Sequence, residues 1–294
     1  MKKLLILAFI GLMAQLIDGS LGMAYGLTST SLLLAFGMAP AVVSASVHLA
    51  EVVTTAVSGV SHIKFGNVDK NVVRQLIFPG SVGAFLGACL LSRLPGELVK
   101  PYISIFLLLL GIYIIMRFLL DHSKQGRTES KPYTKKQLIP LGFFAGLLDA
   151  TGGGGWGPVA TPILLAKKGA DSRKVIGSVD TSEFAIASSA TLGFILSLGW
   201  ESVNWTWVIA LMAGGIVAAP IAAWLVRIIP SHIMGILVGG LIIMTNAHTL
   251  LTAGNSLSGT TIQTVNIILF FVWGIAFIHM LRKRKKANKR TLNA

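Results

Sequence analysis

Five of the eleven acidic residues lie inside apolar stretches: Asp18, Glu51, Asp149, Asp180 and Glu183. No lysine or arginine occurs in residues 4–63 or 137–166, so these carboxylates lack an obvious salt-bridge partner. A carboxylate in such surroundings is costly and normally faces a polar interior. It can take up a proton, coordinate a cation, or accept backbone N–H groups at a helix start. His48 and Glu51 are three residues apart and share a helix face, as do Asp180 and Glu183. For Asp18 and Asp149, capping a helix N-terminus and touching a transported solute are both open. For Glu51 and Glu183, the mid-helix position favours a polar pathway or proton coupling.

All five carboxylates belong to a duplicated pattern. At an offset of 131, Asp18 falls on Asp149, Gly22 on Gly153, Tyr25 on Trp156, Gly26 on Gly157 and Thr30 on Thr161. Further along, at an offset of 132, Ser46 falls on Ser178, His48 on Asp180 and Glu51 on Glu183. The first copy reads DGSLGMAYGLTSTSLLL and the second DATGGGGWGPVATPILL. Gly22, Gly26, Thr28, Ser29 and Thr30 in one copy, with Gly153, Gly154, Gly155, Gly157 and Thr161 in the other, can hold an anion without a cationic side chain. Free N–H groups and the positive dipole end of a half-helix would do so. Ser46 and Ser178 could add hydroxyls, and Tyr25 and Trp156 could wall or gate the site. Close helix contact through small residues is the competing use of the glycines. His62, beside Lys64, reads as interfacial.

These residues need helices that position them. Residues 4–17 and 22–36 are each too short to cross a bilayer comfortably, and the DGSLG between them is poor helix. They read as two half-helices meeting at a break, followed by full crossings at Ser44–His62, Val72–Leu91 and Pro101–Leu120. The second half repeats this order with a broken pair at Leu138–Leu148 and Pro158–Ala166. Its crossings are Val175–Leu198, Trp205–Arg227 and Ile233–Leu251, with Pro230 opposite Pro95. The expected fold is all-α and polytopic, with two inverted repeats, each a re-entrant broken pair plus three crossings. The divisions are residues 1–120 and 138–251 for the repeats, 121–137 for a basic linker, 261–281 for one extra helix and 282–294 for a basic tail. Equivalent loops carry opposite charge: Lys64–Arg74 is basic whereas Gly199–Trp205 carries only Glu201, and Lys167–Lys174 is basic whereas Gly37–Val43 is uncharged. That bias is expected of halves inverted in the membrane. It puts the linker and C-terminus in the cytoplasm and the N-terminus outside, against the two charges of Lys2 and Lys3.

Composition agrees with a membrane protein. Hydrophobic residues make up 53% of the chain and charged residues 12%, about half the usual share for soluble domains. Mean hydropathy is +0.75. The net charge of +14 is concentrated between and after apolar segments, which reads as membrane anchoring and lipid contact, not nucleic-acid binding. The single cysteine, Cys89, excludes a disulfide framework and a cysteine metal cluster. The first residues look like a signal peptide, but the repeat aligns Ile10–Ile17 with Leu141–Leu148 inside the chain, which argues against cleavage. No GxSxG, HExxH or P-loop sequence is present, so neither hydrolysis nor ATP drive is indicated.

The repeated glycine segments, each followed by a leucine run and then by SASVHLAEVVTT or GSVDTSEFAIASS, resemble the sulfite exporter TauE/SafE family of permeases. The resemblance runs from about residue 5 to 251. It implies a duplicated, cofactor-free permease of small, often sulfur-containing anions. The function expected is a secondary transporter of such an anion in the cytoplasmic membrane, with Glu51, Glu183 and His48 as proton-coupling groups. Its partners would be the anionic substrate and the lipid bilayer, with no nucleic acid and no resident metal. A cation permease using the carboxylates and, less favoured, a membrane enzyme are the alternatives.

Overall fold

The computed structural model describes residues 2–120, 133–165, 167, 170–226, 231–253 and 258–292. Among them the chain forms eleven α-helices: α1 (Lys2–Leu21), α2 (Tyr25–Ala35), α3 (Pro40–Lys64), α4 (Lys70–Ser92), α5 (Gly96–Leu120), α6 (Lys135–Gly152), α7 (Trp156–Leu165), α8 (Ser172–Leu198), α9 (Trp205–Leu225), α10 (Ser231–Ala253) and α11 (Gly259–Leu292). A single 3₁₀ turn, Trp200–Ser202, precedes α9. Seven of the helices are long and apolar enough to cross a membrane. The chain is thus a multi-pass helical membrane protein, with exposed apolar side chains such as Phe78, Tyr102 and Phe271 facing outward.

Local chemistry explains several boundaries. Pro40 opens α3 at a position where a missing N–H costs nothing. Asp69 and Asp171 cap α4 and α8 by accepting two backbone N–H groups each. Thr134 and Gln137 form a reciprocal capping box at the start of α6. These caps start α3, α4 and α8 two to four residues before the apolar runs.

The two short helices are where the structure departs most from the expected boundaries. Both first elements of the broken pairs are longer than the apolar runs suggested. Helix α1 continues through Asp18 to Leu21, and α6 continues through Asp149 to Gly152. The backbone carbonyls of Asp18 and Asp149 accept the N–H groups of Gly22 and Gly153, at 2.6 and 2.7 Å. Each helix therefore gains a further turn beyond its carboxylate. The interruptions are residues 22–24 and 153–155: the first is shifted toward the C-terminus from the predicted DGSLG, and the second is the middle of the predicted gap between Leu148 and Pro158. Gly22 and Gly153 take matching left-handed φ values of 67° and 69°, and Ala24 is held at 104° without being a glycine. At the other end of the chain, α11 extends as helix through the basic tail to Leu292. Most of the linker (121–132), Ala166, Arg227 and Pro230 lie outside the described residues.

The halves interlock. Helix α4 packs on α6 and α8, and the equivalent α9 packs on α1 and α3. Along α4 and α6, Gly83 meets Phe143 and Leu147, and Gly87 meets Leu147 and Ala150, so the two run parallel. Gly11 against Leu211 and Gly19 against Ala222 give the same parallel course for α1 and α9. The equivalent helices α3 and α8 run antiparallel, with His48 against Phe194 and Gly59 against Thr181. In the same way α5 and α10 are antiparallel partners, with Gly111 against Ile242 and Gly239 against Ile115. Small residues at these crossings let backbones approach, which drives helix association where lipid removes the hydrophobic incentive.

Candidate functional site

The breaks themselves are in contact. A side-chain carbon on Gly26 would lie 2.6 Å from the Gly154 Cα, and one on Gly157 would lie 2.5 Å from the Met23 Cα. The Thr161 hydroxyl donates to the Gly22 carbonyl at 2.6 Å, and the Thr30 hydroxyl donates to the equivalent carbonyl, that of Gly153. Each short helix thus fastens the other half's break. Two of the predicted anion-binding hydroxyls, Thr30 and Thr161, are therefore committed to this clasp. Those of Thr28 and Ser29 are buried with no hydrogen-bond partner.

Because the breaks touch at their starts, the positive N-terminal ends of α2 and α7 converge inside the protein. Asp149 reaches forward from the last turn of α6 to the first turn of α7. Its Oδ1 accepts from Gly155 N at 2.8 Å and Trp156 N at 2.9 Å. Asp18 does the same across the other break, accepting from Tyr25 N at 3.3 Å. Of the two uses left open for these aspartates, capping is the one they make here.

The second oxygen of Asp149 meets His48 Nε2 at 3.0 Å, across the two halves. His48 Nδ1 lies 2.7 Å from the Ser44 carbonyl, which can only accept, so this nitrogen carries a proton. A proton on either Nε2 or the carboxylate makes this contact a hydrogen bond. Asp18 and Asp180 are the matching residues in the other copy, and they too approach each other. There no imidazole separates the carboxylates. His62 supplies one from elsewhere on α3, with Nε2 3.7 Å from Asp180.

His62 is fully buried, so the interfacial role expected for it is wrong. The signal for it was present in the sequence: His48, Glu51, Thr55, Ser58 and His62 follow helical spacing on α3, and all are buried. The stripe runs about 21 Å along the helix, at 1.5 Å per residue. Glu51 stands on it, buried and with neither carboxylate oxygen hydrogen-bonded. Glu183 is buried on the facing helix α8.

Other predicted residues fall elsewhere. Ser46 donates to Val42 of its own helix, and Ser178 accepts from Asp69 N at the α3–α4 turn, so neither reaches the breaks. Tyr25 and Trp156 are both fully buried behind them, and the Trp156 indole donates to the Val179 carbonyl. Near Ser178, an open crevice with about 480 Å³ of free space is lined by Asp69, Tyr133, Asp171 and Lys174. A smaller one of about 130 Å³ reaches Gly153, Thr30 and Ser44 from the start of α3.

Interlocked halves, two interrupted helices meeting in the interior, and a buried file of ionisable groups are the marks of a membrane transporter. The chain belongs to the sulfite exporter TauE/SafE family, whose description matches residues 7–249. It is 69% identical, over 85% of its own length and 84% of the relative's, to a Bacillus subtilis (strain 168) protein named "Probable membrane transporter protein YtnM". A second relative from the same organism, "Probable membrane transporter protein YdhB", is 26% identical over 63% of this chain and 75% of its own. No solved structure matches the chain.

Proposed function

We propose that this membrane transporter moves a small sulfur-containing anion, of the sulfite or sulfonate class, across the cytoplasmic membrane, coupled to protons. The observation that carries this reading is the convergence of the α2 and α7 N-termini at the contact between the breaks. Two positive helix ends attract an anion with no lysine or arginine required. In the conformation described, Asp149 and Asp18 occupy those ends. Protonation of either carboxylate weakens its hold on the N–H groups and leaves them to the anion. The His48–Asp149 pair keeps such a proton within reach, and Thr28 and Ser29 supply hydroxyls free to bind.

The antiparallel course of α3 and α8 supports a second part of the reading, that the halves are inverted across the bilayer and rock about the crossing. The crevice beside Lys174 then opens to the cytoplasm. The C-terminus lies inside and the N-terminus outside. Glu51 and Glu183 pass protons along the α3–α8 contact.

Reconstitution into liposomes, with radiolabelled sulfite and small sulfonates as substrates, tests this directly. Saturable anion flux that acidifies or alkalinises the lumen in step with transport is expected. No flux with any of these anions would overturn the substrate reading. Normal coupled flux in a Glu51→Gln, Glu183→Gln double variant would overturn the coupling role.

A further inference from the structure

We propose that Asp18, Asp180 and Glu183 form a binding site for one hard divalent cation per chain. One carboxylate oxygen from each lies within 4.8 Å of the others, and all three residues are buried. Asp180 and Glu183 project from one face of α8, and Asp18 enters from the last turn of α1. Asp180 lies beside Asp18 and the buried Ser58 hydroxyl, and among the described residues no backbone N–H or basic side chain hydrogen-bonds either Asp180 oxygen or the second oxygen of Asp18. Gln15, fully buried, has no partner for its amide oxygen or nitrogen, and it flanks Gly19 together with Ser58.

His62 defines the outer side of the site. Asn67 Nδ2 donates to its Nδ1 at 3.2 Å, which places the imidazole proton on Nε2, 3.7 Å from Asp180 and also beside the Gly19 backbone. It is thus a positioning residue for a ligating carboxylate. The donors left for a cation are all oxygens, three from carboxylates and one from Ser58. That set suits Mg²⁺, Ca²⁺ or Mn²⁺ better than a soft metal. Three close carboxylates call for a double charge more than a single one. The equivalent place in the other half cannot hold a second ion. There His48 stands where Asp180 would be, and both Asp149 oxygens are already used.

A role for the bound ion in driving transport rests on the transport reading above, whereas its binding does not. The test is titration of the purified, metal-stripped full chain in detergent with Mn²⁺, with free ion read by electron paramagnetic resonance and no anion substrate present. One saturable site is expected, weakened roughly tenfold to a hundredfold by Asp180→Asn or Glu183→Gln and less by His62→Gln. Glu201→Gln, at an exposed carboxylate in the turn before α9, should leave Mn²⁺ affinity within about twofold, as for a residue remote from the ligand set. Monodisperse elution of each variant separates lost ligation from lost folding. Absence of saturable binding into the millimolar range, binding that ignores both Asp180→Asn and Glu183→Gln, or a site filled by Na⁺ alone would each overturn the proposal. Sulfite flux in chelator-loaded liposomes is measured separately, so failure of the cation site leaves the anion reading standing. Saturable Mn²⁺ flux without any anion flux would keep the site and overturn that reading.

Discussion

The surroundings of Asp149 and of Asp18 occupy matching places in the repeated sequence pattern and differ in their partners. Asp149 is fully occupied: two N–H groups of α7 hold one oxygen, and His48 faces the other. Asp18 holds one N–H at a longer 3.3 Å, and its second oxygen has no partner. The exchange of one residue, histidine at 48 for aspartate at 180, separates them. Where imidazole faces carboxylate, a single proton makes the contact a hydrogen bond and the break is fastened. Where carboxylate faces carboxylate, Asp18 keeps one oxygen without a hydrogen bond. A repeated scaffold thus carries one centre whose carboxylate is fully hydrogen-bonded and one whose carboxylate is not.

Altering the breaks should expose this inequality most strongly. A side chain at Gly154 would collide with the backbone of Leu27, and φ there is 150°. Gly154→Ala should cost upwards of about 3 kcal/mol, combining overpacking with backbone strain, and should abolish monodisperse protein on size exclusion. The equivalent position already carries Met23, so Met23→Leu, which keeps the buried volume, should be recovered folded. If the two behave alike, the breaks are not as unequal as described.

Next in size are the caps. Asp149→Ala strands two buried N–H groups and the histidine, a loss of about 2–5 kcal/mol. Asp18→Ala strands one and removes a crowded carboxylate, for a loss of about 1 kcal/mol or less. Thermal unfolding in detergent should therefore fall clearly for Asp149→Ala and little for Asp18→Ala. Equal falls would contradict the distinction between the two centres.

The clasp should be more even-handed. Thr30→Val and Thr161→Val each remove one buried hydrogen bond between the halves, at a cost of about 1–3 kcal/mol. A double-mutant cycle should give a coupling above about 0.5 kcal/mol, because both bonds fasten the same crossing. Strict additivity would mean that the breaks are held independently. The smallest effect is expected at Ala24, whose φ of 104° suits glycine. Ala24→Gly should raise stability by at most about 1 kcal/mol, after the added freedom of the unfolded chain is subtracted. A fall in the unfolding temperature would show that the methyl group is needed for contact.

Much of this could be read from the residues in order. The 131-residue offset, the apolar runs and the isolated carboxylates pointed to a duplicated membrane protein with two interrupted helices. Capping by Asp18 and Asp149 was one of two uses that their types allowed. The extra turn after each aspartate was less legible, because glycine in DGS and DATGG signals interruption whether the helix stops before or after it. His62 was misplaced because its lysine neighbour suggested an interface, although its spacing from His48 and Glu51 put it on the buried stripe.

What the sequence determined alone was set by local physics: hydropathy separates bilayer from water, periodicity gives helix faces, and the repeat fixes which residues are equivalent. The tertiary structure decided who meets whom. His48 finds Asp149 across 101 positions, and Thr161 finds the Gly22 carbonyl across 139. Such pairings follow from how interlocked halves cross, and no property of either residue's neighbours encodes them. The repeat makes the two centres equivalent in sequence, and the pairing across the halves makes them chemically distinct.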